Sequence, residues 1–333
     1  MTTIGIDVGA KNLVFSVRHK GRIECTKTVT NTVPGFKKII KMCKKYSKYG
    51  SIKVAMEATG AYYLDVAIML SEIKNIDLIV ANPRATKAFA QASMERQKTD
   101  KVDSIMLTSF AEKMDYPIWE KPSPETIQLR YFARIIHSFT EAKAKANNQL
   151  HALQSFNKTP KKVIEMVKKE IEFLATTIEK AKKEVTEVIK CDSELNRSFE
   201  LLQTIKGIGK LSAIQILAEI KLIPDGLSHR QWVAFAGLDP RLHQSGTSIF
   251  KKPRISKAGN RYLRKSLFMP ALSASKNDPY VKLYFEHLVE NRKLTKLQAI
   301  VAIMRKLLHA IHGMLLSKKP FDNTRFFGIE KVA

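Results

Sequence analysis

Apolar positions at the start of the chain alternate with a period of two and later switch to steps of three and four. Ile4, Ile6 and Val8, then Leu13, Phe15 and Val17, alternate around Gly9-Ala10 and predict extended structure over residues 4–18. Gly21 supplies a turn, and residues 23–30 can return as a further strand. A lysine-rich amphipathic helix is predicted from Pro34 to about Tyr49. A short apolar strand, Ile52 to Met56, then ends at Glu57. Residues 61–73 suit a helix, Leu78-Ile79-Val80 is a buried strand closed by Asn82-Pro83, and helical pattern occupies much of 84–114. A hairpin followed by alternating strands and helices predicts a mixed α/β sheet, ending near Pro117, Pro122 and Pro124.

The middle of the chain has a different rhythm. Leu129, Phe132, Ile136 and Phe139 step by three and four, and Ala146, Leu150 and Leu153 resume the phase. Beyond Pro160 a heptad runs through Ile164, Val167, Ile171, Leu174, Ile178, Ala181, Val185 and Val188. Two long helices joined by a Pro-containing turn predict an antiparallel coiled-coil arm. Two thin helices alone would expose much apolar surface, so the arm is expected to dimerise; an intramolecular spacer is the alternative. From about Asp192 to Lys319 the pattern is helical and basic. The expected organisation is a domain over 1–120, an arm over 121–192, a mainly helical domain over 193–322 and a tail over 323–333.

Charge narrows the function. Lysine and arginine number 57 against 31 acids, a net charge of +26, which calls for a polyanionic partner. No run approaches the ~20 apolar residues of a membrane span, and no secretory signal is evident, so a cytoplasmic protein is expected. Cys25, Cys43 and Cys191 form no Cys-x-x-Cys pair, which argues against a disulfide framework or zinc ribbon. His309 and His312 share a helix face without a third ligand and read as structural.

Four acids form a pattern. Asp7 lies in the first strand, Glu57 ends a later one, and Asp100 and Asp103 share a face of a later helix. A lone Asp-x-x-Asp is usually a solvated face, but this order matches an RNase H-like fold. Crowded carboxylates repel unless a cation neutralises them, and hard oxygen ligands select Mg²⁺ or Mn²⁺. Lys98 and Lys101 could hold flanking phosphates.

Further along, Gly207-Ile208-Gly209-Lys210 separates two helical patterns and looks like a helix-hairpin-helix. Its backbone N–H groups, and the helix that follows, suit a phosphate. After Gly237-Leu238-Asp239-Pro240 comes a basic loop carrying Ser245 beside Gly246. Lys251, Lys252, Arg254, Lys257, Arg261, Arg264 and Lys265 follow. No His–Asp partner stands near Ser245 in sequence, so a protease-like triad is unsupported. Ser248 and Ser256 are equally hydroxylic, and composition does not choose among the three.

The motifs taken together resemble those of the DEDD transposases of bacterial and archaeal insertion elements, bridge-RNA-guided recombinases related to Piv-type DNA invertases. The resemblance is carried by Gly5-Ile6-Asp7-Val8 with Lys11, Glu57-Ala58-Thr59-Gly60-x-Tyr62, Asn82-Pro83, Phe89-Ala90 and Lys98-Thr99-Asp100-x-x-Asp103. A later set comprises Gly207-x-Gly209, Ala218-Glu219-Ile220, Gly237-Leu238-x-Pro240, Ser245-Gly246, Ser256-Lys257-x-Gly259-Asn260 and Leu263-Arg264. The stretch Lys221 to Leu227, where the family would have an acidic turn, departs from the pattern.

The resemblance implies an RNase H-like (RuvC-like) domain whose Asp7, Glu57, Asp100 and Asp103 bind Mg²⁺ or Mn²⁺. It implies a C-terminal transposase domain whose Ser245 is the nucleophile, forming a 5′-phosphoserine intermediate. It also implies a structured guide (bridge) RNA pairing with donor and target DNA. A homodimer or homotetramer would bring the metal domain of one subunit to the serine of another. Other readings are a RuvC-like hydrolytic nuclease or junction resolvase with Ser245 incidental, a site-specific invertase, or a basic nucleic-acid scaffold with structural carboxylates.

Overall fold

A computed structural model describes residues 1–48, 50–95, 97–245 and 249–327, with the side chains of 242–252 outside the described set. The chain divides into two compact units, Met1–Lys121 and Pro122–Ala333.

In the first unit β1 (Thr2–Val8), β2 (Asn12–His19) and β3 (Arg22–Thr30) form an antiparallel meander, followed by α1 (Val33–Ser47). Then come β4 (Ile52–Glu57), α2 (Leu64–Ser71), β5 (Ile76–Ala81), α3 (Pro83–Ala92) and α4 (Asp100–Lys113). The sheet order is β3-β2-β1-β4-β5, with β1 antiparallel to β2 but parallel to β4, and β4 parallel to β5. This mixed five-stranded α/β architecture fits an RNase H-like fold. The alternation read from sequence as residues 4–18 is a tight hairpin, closed by Gly9 N donating to Asn12 O at 2.9 Å.

Strand parity sets the two faces of the sheet. Ile4, Ile6, Val54 and Met56 pack with Phe36 and Ile39 of α1 and with Leu64 and Leu70 of α2. The other face is covered by α4, where Ala55 and Ile79 meet Leu107 and Phe110. The α3–α4 region, expected as largely helical, is broken between Ser93 and Thr99, where Met94 adopts a positive φ of 55°.

The second unit opens with two long helices, α5 (Pro124–Gln154) and α6 (Lys161–Cys191), packed against each other. Of the heptad, Val167, Leu174, Ile178 and Val185 are buried. The stripe that suggested a dimer interface is thus largely covered inside one chain, while Met166 (70% exposed) and Phe173 (66%) lie outside it.

Then follow α7 (Ser193–Gln203), α8 (Lys210–Ile220) and α9 (His229–Ala236). Next is a two-stranded hairpin, β6 (Pro240–Ser245) and β7 (Ile249–Ile255), where the sequence predicts a basic loop. The chain ends with α10 (Arg261–Ser266), α11 (Phe268–Asn277), α12 (Pro279–Glu290), α13 (Lys296–Ser317) and a short 3-10 turn at Asn323–Arg325. Phe326, in the expected tail, is buried in this unit's core.

Contrary to the expectation that no run reaches membrane-spanning length, α13 is long and apolar enough to cross a bilayer by length and composition. It serves as a core helix, with Ile303, Leu307, Leu308 and Ile311 fully buried in the core of the second unit.

Candidate active site

Asp7 lies one residue from the end of β1, and Glu57 ends the adjacent parallel strand β4. The register Ile6↔Met56 places them side by side one step on, both with the parity of the α4 face. Asp100 and Asp103 lie in the first turn of α4, where carboxylates also complement the helix dipole. Thr99 starts that helix, its hydroxyl accepting from Val102 N at 3.2 Å.

Helix α4 lies very close to the sheet. Only a glycine fits at position 5, where a Cβ would come within 2.1 Å of Ser104 O. The Ser104 and Ser16 hydroxyls hydrogen-bond at 2.7 Å, and Ser16 continues to Thr26 at 2.8 Å. Arg18 extends this polar seam by donating to Thr108 Oγ1 and Ser109 Oγ, both at 2.9 Å. The acid-bearing turn is thereby held beside Asp7.

The electrostatics reflect that proximity. Burial, then the charges of Asp100, Asp103 and Glu57, pushes the Asp7 pKa up to about 6. Asp103 is also raised, by burial and by Asp100 and Glu95, while Lys98 pulls it the other way. Glu57 accepts a hydrogen bond from Thr86 Oγ1 at 2.8 Å, and Thr86 is 1% exposed. No motif flagged Thr86; its one signal is its place in the helix opened by Asn82-Pro83. Lys101 and Asp100 line an open groove of about 610 Å³ with Val14, Thr26, Thr28 and Thr99. Among the described residues, no three His, Cys, Asp or Glu side chains are positioned to hold a metal ion as they stand.

In the second unit the later motifs interlock at the base of the β6–β7 hairpin. Gly237, the left-handed cap of α9 (φ 65°), accepts from Lys257 N at 3.1 Å. Gly259 faces it so closely that a Cβ would lie 2.2 Å from Phe235 O. Ser256 Oγ donates to Asp239 Oδ1 at 2.6 Å and accepts from Ala258 N at 3.1 Å, so its hydroxyl is committed to structure. Asn260 caps α10 and donates to Glu219 Oε2 at 2.6 Å. Glu219, 2% exposed, also accepts two bonds at 3.1 Å from Arg134, whose guanidinium lies 4.2 Å from the Tyr262 ring centroid.

Ser245 ends β6, paired with Ile249 across the hairpin. Its side chain lies outside the described residues, as do those of Lys251 and Lys252. Gly246 and Ser248 are outside altogether. Arg254, Lys257 and Arg261 are exposed, whereas Arg264 turns inward to donate to Ala236 O at 2.8 Å.

At the α7–α8 turn the two glycines differ. Gly207 (φ 101°) sits against α11, where a Cβ would meet Pro270 O at 2.8 Å. Gly209 and Lys210 face open space. The third ring missing from the His309–His312 pair is His229 on α9, its centroid 4.7 Å from His309 and 6.1 Å from His312. Burial, then His229 and Arg305, pushes His309 down to about 4, so that ring is neutral.

Residues 4–156 match a family described as Transposase, of the DEDD IS110 type, and residues 199–286 match the Transposase IS116/IS110/IS902 family. Over 325 residues the chain is 31% identical to the Pilin gene-inverting protein of Moraxella bovis, covering 96% of this chain and 98% of that protein. This chain belongs to the IS110-type transposase family. The Moraxella lacunata Pilin gene-inverting protein is likewise 31% identical over 328 residues. The Transposase for insertion sequence element IS1111A of Coxiella burnetii is 32% identical over 139 residues, 40% of this chain and 37% of that protein. Both motif sets described above lie within the matched family regions, the carboxylates in the first and the serine hairpin in the second.

Proposed function

We propose that this protein is an RNA-guided DNA recombinase that mobilises its own insertion element. The observation that carries the reading is the gathering of four carboxylates at one end of an RNase H-like sheet, in a chain whose separate second unit carries the serine hairpin. The names of the Moraxella and Coxiella relatives support rearrangement of DNA as the reaction. The charge of +26 suits nucleic-acid partners, here donor and target DNA and a structured guide RNA.

The donor set fits a hard divalent cation. It is all oxygen, and the like-charge crowding that raises Asp7 is what a cation relieves. Asp7, Glu57, Asp100 and Asp103 would hold Mg²⁺ or Mn²⁺, which when bound supplies polarisation of a phosphoryl oxygen. The chain's own residues do the rest. Ser104 and Gly5 set the position of the acid turn, and Thr86 orients Glu57. Lys98 and Lys101 would contact flanking phosphates, with Gly209, Lys210, Arg254, Lys257 and Arg261 as further contacts.

Ser245 attacks the phosphorus; the Oγ–P bond forms as the bond to the 3′ oxygen breaks, and the hydroxyl proton leaves with the 3′-OH. A second 3′-OH then attacks the phosphoserine and releases the serine, so phosphodiester energy is conserved. Because carboxylates and serine belong to different units, subunits of a dimer or tetramer can each supply half a site. The full-length match to gene-inverting relatives favours a second outcome of the same chemistry, site-specific inversion.

The test is a denaturing gel of protein, RNA, labelled donor and target DNA and Mg²⁺, with Ser245→Ala and Asp103→Asn alongside. Label shifted onto protein in the wild type alone is expected. Cleavage without an adduct, undiminished in Ser245→Ala, would replace the recombinase with a hydrolytic nuclease.

A further inference from the structure

Five residues beyond Glu57 the chain holds an aromatic ring in solvent on a fixed backbone. Tyr62 is 52% exposed, while the adjacent Tyr63 is 6% exposed and packs into the core. Among the described residues of the first unit, the other exposed large apolar side chains, such as Ile23, Val33 and Met94, are aliphatic. Backbone hydrogen bonds on both sides of Gly60 tie down the loop that carries Tyr62. Ala58 N donates to Ala81 O at 2.9 Å, Thr59 N to Glu57 O at 2.8 Å, and Tyr62 N to Thr59 O at 3.2 Å.

Asn31 then clasps this loop to the turn that follows Asp7. Its side-chain amide donates to Gly9 O at 2.9 Å and to Tyr62 O at 3.2 Å, and its backbone N–H donates to Lys11 O at 2.8 Å. One asparagine thus gathers the Asp7 turn, an exposed lysine and an exposed aromatic at the same end of the sheet. Leaving a tyrosine ring in water forgoes apolar burial, and the surrounding bonds fix its backbone without covering the ring.

We propose that Tyr62 is a stacking platform for an unpaired nucleobase flanking the phosphate handled at Asp7 and Glu57, with Lys11 available to that nucleotide's own phosphate. The inference rests on the reading of those carboxylates as a phosphodiester site. Every base presents a π face, so a stacking ring accepts any sequence. It requires a base splayed out of a duplex, as at a strand being exchanged. That suits a protein whose sequence choice is delegated to another component.

The test uses the full-length protein and a DNA strand of about 20 nucleotides in which iododeoxyuridine replaces thymidine. The strand is irradiated on the protein, and the crosslinked peptides are read by mass spectrometry. A crosslink at Tyr62 is expected in the wild type. At about 0.3 M salt, where phosphate contacts are weakened, Tyr62→Leu is expected to bind the strand about tenfold more weakly and Tyr62→Phe to bind like the wild type. Crosslinks confined to other residues, or equal affinity of Tyr62→Leu and wild type, would overturn the platform. Mg²⁺-dependent cleavage is scored separately: its absence alongside a Tyr62 crosslink would sink the phosphodiester reading, while cleavage without the crosslink would sink the platform alone.

Discussion

Gly5 lies directly under the backbone carbonyl of Ser104, so close that a single added methyl would come within 2.1 Å of that oxygen. No side-chain rotation relieves a clash with backbone, so Gly5→Ala must lift α4 off the sheet, and Asp100 and Asp103 with it. A destabilisation of ~1–3 kcal/mol is expected from overpacking. A displacement of about 1 Å at the acids should lower cleavage by on the order of 100-fold while DNA binding persists. Thermal unfolding and single-turnover cleavage check this; an active, equally stable Gly5→Ala protein would refute the close seat of α4.

Asp7 is the carboxyl whose environment resists its charge, and this gives the metal-free protein a pH signature. Its pKa in the fold is about 6 against an ordinary 3.8, so the folded state holds the proton more tightly than the unfolded chain. The associated stability is present below pH 3.8 and is lost as pH rises through about 6. Fully shielded, such a shift would be worth ~3 kcal/mol; solvent at this half-open site reduces it to ~1 kcal/mol. At neutral pH without divalent ions, Asp7→Asn should therefore melt ~2 °C higher than the wild type while losing cleavage. Added Mn²⁺ should raise the melting temperature of the wild type more than that of the variant. A lower melting temperature for metal-free Asp7→Asn would count against carboxylate crowding.

Removing Arg134 leaves Glu219 buried with Asn260 as its remaining side-chain partner. A buried carboxylate stripped of its cation costs ~3 kcal/mol, so Arg134→Ala should be strongly destabilised in denaturant titrations. Arg134→Met combined with Glu219→Leu should recover much of the loss. Equal damage in the single and double variants would mean that Arg134 acts through its packing on Tyr262.

The serines are separable by stability. Ser256→Ala loses its bonds to Asp239 and Ala258 and should cost ~1 kcal/mol while the protein–DNA adduct persists. Ser245→Ala should keep its melting temperature and RNA binding and lose the adduct. Loss of the adduct in Ser256→Ala at unchanged fold would reassign the nucleophile.

The arm is best probed on its uncovered side. Leu174 belongs to the buried stripe of α6, so a charge there would disrupt the packing of the helix itself. Met166→Asp with Phe173→Asp instead touches only the exposed stripe, and we expect a lower oligomeric state in sedimentation velocity together with lower recombination. An unchanged assembly would leave the arm as a spacer.

Much of the first unit was legible because its strands obey strict parity: Ile4, Ile6, Val54 and Met56 face one way, and small or acidic residues the other. The four acids were legible because each lies at or beside an element end or within its first turn. What sequence could not supply was contact at a distance, such as Thr86 on Glu57 or His229 beside His309. The β6–β7 hairpin was missed because Pro240 and Pro253 sit within strands of a ribbon with no third strand to pair. Gly207 carries a second constraint that the sequence did not show: its glycine is demanded by α11 of the same chain, whereas Gly209 faces solvent.

The hairpin that carries Ser245 stands on a base fixed by Gly237, Gly259 and the Ser256–Asp239 bond. With its foot immobile, its reach is set by strand length. A strand advances about 3.4 Å per residue and returns a side chain to the same face every second residue. Shortening both strands by two residues would draw position 245 back by about 7 Å without turning it over, and a change of one would turn it away. Under the proposed mechanism the hairpin therefore acts as a ruler from the register shift between Arg241 and His243 outward, and its length sets where position 245 is presented.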